Sequence, residues 1–124
     1  MKDESWVALI DGERMEGGIR TAVELWCTDP AAAKQQYGPI ASWDTSEIIS
    51  VAYLFLDKAN FNDDISRWDV SSVTDMDAML CGATSFNGDL SQWDVSNVTE
   101  MSYMLVGDTS LNCDLSPWDV SKVT

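Results

Sequence analysis

Carboxylates are the reactive side chains this sequence holds in quantity. Asp and Glu number 21 against 7 Lys and Arg, giving a formal charge of -14, and histidine is absent. Without it the chain holds no Ser-His-Asp triad, no Cys-His pair, no His-ligated zinc and no His proton shuttle. Neighbouring carboxylates such as Asp63 and Asp64 have the chemistry for glycoside hydrolysis, which sets two carboxyl groups about a scissile bond. Asp63, however, occupies a variable turn position, replaced later by Gly88 and Cys113, and a catalytic pair needs a cleft with unlike surroundings. The expectation is that the chain is not an enzyme. Dense carboxylate oxygen also suits Ca²⁺, along Asp64, Asp89 and Asp114 or along Asp44, Asp69, Asp94 and Asp119. The calcium repeat GGxGxD is missing, so calcium stands as an alternative and no cofactor is expected. Cys27, Cys81 and Cys113 form no CxxC pair and read as small, free thiols.

The order beneath these residues is repetition. Trp43, Trp68, Trp93 and Trp118 stand 25 residues apart, each followed by Asp and, two residues on, by Ser46, Ser71, Ser96 or Ser121. Upstream of the later tryptophans run FNDDISRW, FNGDLSQW and LNCDLSPW. A period of this length signals a solenoid, in which each unit buries its apolar side against its neighbours. The alternation Val73-Thr74-Asp75-Met76 predicts a short strand, and Met76-x-x-Met79-Leu80 one helical or 3₁₀ turn. The predicted fold is thus a leucine-rich-repeat-like solenoid of short parallel strands. A WD-repeat propeller fails on length, since its unit is about 40–45 residues.

Residues ahead of the repeats differ. Ile19, Ala22, Val23 and Trp26 fall on one helical stripe. Asp29-Pro30 offers a cap and first-turn proline for a second helix that Gly38 stops. A solenoid needs its end covered, so residues 1–40 are expected to be an N-terminal helical cap and 41–124 the solenoid. Its coils are 43–67, 68–92, 93–117 and a partial 118–124, with truncation of a longer array expected there. The apolar run from Trp6 to Ile10 is too short for a secretory signal, and no run approaches the roughly 20 apolar residues of a membrane span.

The pattern FNxDLSxWDVSxVTxMxxM, carried by Phe61-Asn62 through Met79-Leu80 and by Phe86-Asn87 through Met104-Leu105, resembles the BspA-like surface-protein repeat, also widespread in Mycoplasma surface lipoproteins and in algal, especially diatom, proteins. TAVELWCTDPAAAKQQYGPIASWD looks like the lead-in of the algal members. The resemblance implies a leucine-rich-repeat-like fold and roles in surface adhesion and protein binding. An extracellular or cell-surface location is expected, with an organellar or complex-bound one as the alternative. It implies no catalytic residues. Phe55 is followed at its repeat positions by Leu80 and Leu105, a departure that bears on core packing.

Each recurring residue also has a structural reading. Stacked carboxylates about 4.8 Å apart would repel by roughly 0.9 kcal/mol even in water, so Asp44, Asp69, Asp94 and Asp119 are expected to accept local backbone N–H groups at turns, with the Ser two residues on assisting. Trp43, Trp68, Trp93 and Trp118 read as a core column rather than a sugar-stacking platform. Asn62, Asn87 and Asn112 read as a buried amide column satisfying loop backbone. Asn97-Val98-Thr99 is a glycosylation sequon at an outward position. The functional expectation is a protein-binding module of adhesion or scaffold type, presenting a rigid acidic face through Glu47, Asp75, Asp77 and Glu100. Its partner would be a protein and neither nucleic acid, whose phosphates the charge repels, nor a membrane interior. Alternatives are an accessory structural subunit of a larger assembly and a calcium-stabilised surface repeat.

Overall fold

The computed structural model of the chain describes residues 18–124; the Trp6–Ile10 run and the first part of the expected cap lie outside them. The helical stripe forms α1, Gly18–Thr28, which buries Ile19, Ala22 and Val23. Helix α2, Pro30–Tyr37, follows after one residue. Asp29 caps it by accepting the Ala32 N–H at 3.2 Å, Pro30 removes a donor the first turn cannot use, and Gly38 ends it at φ 81° with its N–H on the Lys34 carbonyl. A 3₁₀ turn, Ile40–Ser42, leads to Trp43.

The predicted strands do not form. Among the described residues no strand or sheet is present, and pairing is reduced to two isolated parallel bridges, Ser50 with Asp75 and Asp75 with Glu100. The leucine-rich-repeat-like, strand-based fold is therefore corrected, and hydrogen-bond accounting gives the reason. In a ladder the successive amides of a strand would point alternately to its two neighbours. Here the amides of Val51, Tyr53, Phe55 and Asp57 donate to the carbonyls of Asp75, Asp77, Met79 and Cys81 in the next repeat. The intervening amides of Leu54, Leu56 and Lys58 turn back within their own repeat to Val51, Tyr53 and Phe55. Positive φ at Tyr53 and Asp57, repeated at Ala78 and Gly82 and at Tyr103 and Gly107, accompanies that turning. The alternate amides are used up in tight turns, so the stretch is a string of turns bonded forward to its neighbour.

That pattern recurs one period on: Met76, Ala78, Leu80 and Gly82 donate to Glu100, Ser102, Met104 and Val106. In the opposite sense Thr74 donates to Ile49, Thr99 to Thr74 and Thr124 to Thr99. Successive repeats thus stack in a 25-residue register through their backbones.

Side chains fill the stack in the same register. Trp43, Trp68 and Trp93 are buried, with the first two rings stacked at 6.2 Å. The Trp43 indole N–H donates to the nearby Gly38 carbonyl at 2.9 Å, and the later ones reach back 28 residues, from Trp68 to the Ile40 carbonyl, Trp93 to Ile65 and Trp118 to Leu90, at 2.8–3.0 Å. A buried indole needs such an acceptor. Phe61 stacks on Phe55 at 4.1 Å and on Phe86 at 5.7 Å. Where Phe55 gives way to Leu80, the leucine is fully buried in the same core.

Helix α1 closes the first coil by imitating the coil that would precede it. Arg20 donates to the Ala52 carbonyl, whose equivalents on Asp77 and Ser102 accept amides from the preceding repeat. Glu24 pairs with Lys58 at 2.9 Å, Trp26 donates to Asp63 at 2.8 Å, and Trp26 and Tyr37 pack edge-on against Trp43, each at 5.8 Å.

Candidate acidic interaction face

The forward-bonded turns set the register of the face carrying residues 47–53, 72–78 and 97–103. Parallel bridging places Ser50, Asp75 and Glu100 in one column, and Asp77 lies two residues from Asp75. As a result Asp75, Asp77 and Glu100 can bring one carboxylate oxygen each within 4.8 Å of the others. Two of the three are anchored. Asp75 Oδ1 accepts the Asp77 N–H at 2.9 Å, and Asp77 Oδ1 accepts the Ser102 N–H of the next coil at 2.6 Å. Glu100 is exposed while both aspartates are half-buried. The charges of Asp75 and then Asp77 push the Glu100 carboxyl above its ordinary range, as expected where like charges are held together. Glu47, the fourth expected residue, is exposed on the same stretch of the first coil and is not a member of this cluster.

Exposed apolar and aromatic side chains accompany the acids. Tyr53 and Tyr103 are 57% and 73% exposed, and Ile49 62%. Ala78 occupies the intervening repeat position and is buried. The tyrosines were not singled out by sequence reasoning; the signal was there in the Tyr-Ala-Tyr succession at 53, 78 and 103, where a core column would have kept one apolar type. Tyrosine is the residue type enriched where proteins meet.

The other sequence candidates have local duties. Oδ1 of Asp44, Asp69, Asp94 and Asp119 accepts the N–H of the serine two residues on at 3.0 Å. The Ser46, Ser71 and Ser96 hydroxyls donate to the same oxygens at 2.6 Å. Asp64, Asp89 and Asp114 repeat the device with Ser66, Ser91 and Ser116. Hydrogen bonds from these serines hold the carboxyls of Asp64, Asp89, Asp94, Asp114 and Asp119 below the ordinary range. The gathered carboxylates thus lie at Asp75, Asp77 and Glu100, in neither column considered for calcium.

The asparagine column needs correction. Asn62, Asn87 and Asn112 are exposed, not buried. They still tie the coils together, since Asn62 Oδ1 accepts the Asn87 N–H at 2.8 Å and Asn87 Oδ1 the Asn112 N–H at 2.9 Å. Asn97 is exposed, but its side-chain amide already donates to the Ser71 carbonyl at 2.8 Å and accepts from Lys122 at 3.0 Å. Cys27, Cys81 and Cys113 are half-buried and unpaired, and burial pushes the Cys27 thiol up. Trp26, Cys27, Lys58, Phe61 and Asp63 border a cavity of about 350 Å³ where α1 meets the first coil; its polar groups are largely spent on the Glu24–Lys58 and Trp26–Asp63 contacts.

Residues 28–124 match the model of a family described as Mycoplasma protein of unknown function, DUF285. The chain belongs to that family. No curated protein and no solved structure matches it. The match begins at the end of α1 and spans every coil, so the family signature is the repeat itself. Among the described residues no helix is long and apolar enough to cross a membrane.

Proposed function

We propose that this DUF285 chain is a non-enzymatic protein-binding module of the surface adhesion or scaffold type, which recognises a basic segment of its partner through the Asp75, Asp77 and Glu100 cluster. The observation that carries the reading is the meeting of three carboxylates from two coils beside exposed Tyr53 and Tyr103. Like charges held by backbone hydrogen bonds create a negative potential before any partner arrives, so a cationic side chain relieves repulsion as it binds. Flanking tyrosines add broad, amphipathic contact area at low entropic cost. The lead-in TAVELWCTDPAAAKQQYGPIASWD supports placing the chain with the algal members of the repeat family, and with it a surface location.

Selection of displayed peptides on the immobilised chain tests the reading. Lys- and Arg-rich ligands are expected, with affinity falling steeply with salt and on Asp75→Lys or Glu100→Lys. Affinity indifferent to salt and to both variants would show the acidic-face reading to be wrong. The same three carboxylates favour one second reading, a cation-stabilised face. It predicts a rise in melting temperature with added calcium, and an unchanged temperature removes it.

A further inference from the structure

Tyr53, Ala78 and Tyr103 hold one repeat position in three successive coils. All three have left-handed backbone, at φ 62°, 53° and 58°, so their Cβ atoms leave the chain in the same direction. The Tyr53 N–H donates to the Asp77 carbonyl and the Ala78 N–H to the Ser102 carbonyl, each at 2.8 Å, which sets the three side by side at the spacing of paired strands. Two steps of about 4.8 Å put the tyrosines about 9.6 Å apart across the buried alanine. Tyr53 is exposed although α1 bonds to the Ala52 carbonyl on one side and the coil of Ala78 follows on the other. The position therefore faces outward even in a coil with neighbours on both sides. Among the described residues neither phenol makes a hydrogen bond or a ring contact. A group entering over Ala78 is centred about 4.8 Å from each tyrosine column, inside the roughly 6 Å reach of a cation–π contact.

This notch opens onto acid. Asp77 precedes Ala78, and its Oδ1 accepts the N–H of Ser102, which precedes Tyr103. With Asp75 and Glu100 it presents three oxygens within 4.8 Å of one another. An ammonium carries three N–H donors in tetrahedral array, which at an N···O distance of about 2.9 Å reach acceptors about 4.7 Å apart. A guanidinium spreads its donors in one plane and pairs best with a single carboxylate.

We propose that Tyr53, Ala78 and Tyr103 form a notch that takes one lysine side chain of the partner, its methylene stem between the two phenols and its ammonium on Asp75, Asp77 and Glu100. This rests on the acidic-face reading and adds to it the residue type recognised and the gap that selects it. Charge complementarity draws any basic segment to the face; the notch decides which basic side chain is held there. A third tyrosine would fit the same left-handed backbone, as its neighbours on either side do, and would close the gap. Ala78→Tyr therefore fills the notch without touching a charge.

The test is an NMR titration of the chain at low ionic strength. The probes are an acetylated, amidated lysine–glycine peptide and its arginine–glycine counterpart of equal length and charge. The lysine peptide is expected to shift the ring signals of Tyr53 and Tyr103 and to bind about threefold more tightly than the arginine peptide. Ala78→Tyr is expected to weaken lysine-peptide binding about fivefold. The double change Tyr53→Ser with Tyr103→Ser is expected to do the same, and it removes only exposed rings should Ala78→Tyr lower the melting temperature. Lysine-peptide affinity that falls on Asp75→Lys but is unchanged in both notch variants overturns the proposal and leaves the acidic face standing. Equal or tighter binding of the arginine peptide overturns it as well. Binding of neither peptide removes the acidic-face reading, and this inference with it.

Discussion

The stretches Leu90–Val95 and Leu115–Val120 share almost the same motif yet live in different surroundings. Trp93 is 4% exposed and Trp118 only half-buried; Val95 is 1% exposed and Val120 46%. Leu90 is fully enclosed, whereas Leu115 is not. Burial in this molecule therefore belongs to the junction between two coils and not to the residue type. A stretch covered on both sides is core; nearly the same sequence covered on one side among the described residues is surface.

Large-to-small changes sharpen that contrast most. Trp68→Ala removes an indole packed from both sides along with its bond to Ile40, and is expected to cost about 3–5 kcal/mol. Trp118→Ala removes a ring packed on one face and is expected to cost about 1–2 kcal/mol. Denaturant titration of both checks this, and equal losses would mean the junctions contribute no cooperativity.

The glycines give the next largest difference. Gly82 has φ +78°, and a Cβ there would come within 2.4 Å of Asp57 Oδ1 and 3.2 Å of the Asp57 Cα. Gly107 has φ +83°, but its Cβ would meet nothing nearer than Gly82 at 3.7 Å. Gly107→Ala thus incurs only the left-handed backbone penalty of about 1–2 kcal/mol. Gly82→Ala incurs that penalty and displaces the coil below. Thermal melts of the two variants should rank them in that order.

A smaller effect depends on pH. Asp108 takes the repeat position of buried Ala83, and both its carboxylate oxygens are enclosed without a hydrogen-bond partner. Burial pushes its carboxyl up to about 6. With the folded value raised above the unfolded one, the folded chain holds the proton longer, so stability falls as pH rises from about 4 to about 6. Asp108→Ala is expected to flatten that segment of the melting-temperature profile and raise stability at neutral pH. The serine-bonded aspartates act in the opposite sense at lower pH. Their depressed values give stability present above about 4 and lost as pH falls through the folded values. Asp94→Asn should blunt the acid limb, and this is the smallest of the expected effects.

The same contrast explains what could be read from sequence. Helix α2 was legible because Asp29, Pro30 and Gly38 each have one dominant local use. The tryptophan period was legible because large rings at a fixed interval have to share a seam. The Asp–Ser turns were legible because the partner lies two residues away. The strand was misread because Val73-Thr74-Asp75-Met76 alternates as a strand does. What decides against it is that pairing stops at one bridge per junction, at Asp75, because on either side the chain turns back on itself, Val73 to Val70 and Met79 to Met76; the second turn takes positive φ at Ala78, and alanine carries no residue-type signal for that conformation. The asparagine column was misplaced because an amide serving backbone groups was assumed to be enclosed, whereas it bridges coils at the surface. Meeting of Asp75, Asp77 and Glu100 depends on register across two coils, which residue spacing suggests only after the stacking is known.

Amide hydrogen exchange on a protein of residues 1–124 alone tests the stacking register most directly. Met76, Ala78 and Leu80 donate across a closed junction, while Met101, Tyr103 and Leu105 hold the same positions at the open one. The account predicts strong protection for the first three and rapid exchange for the second three. Equal protection in the two sets, or protection confined to the second, would contradict it.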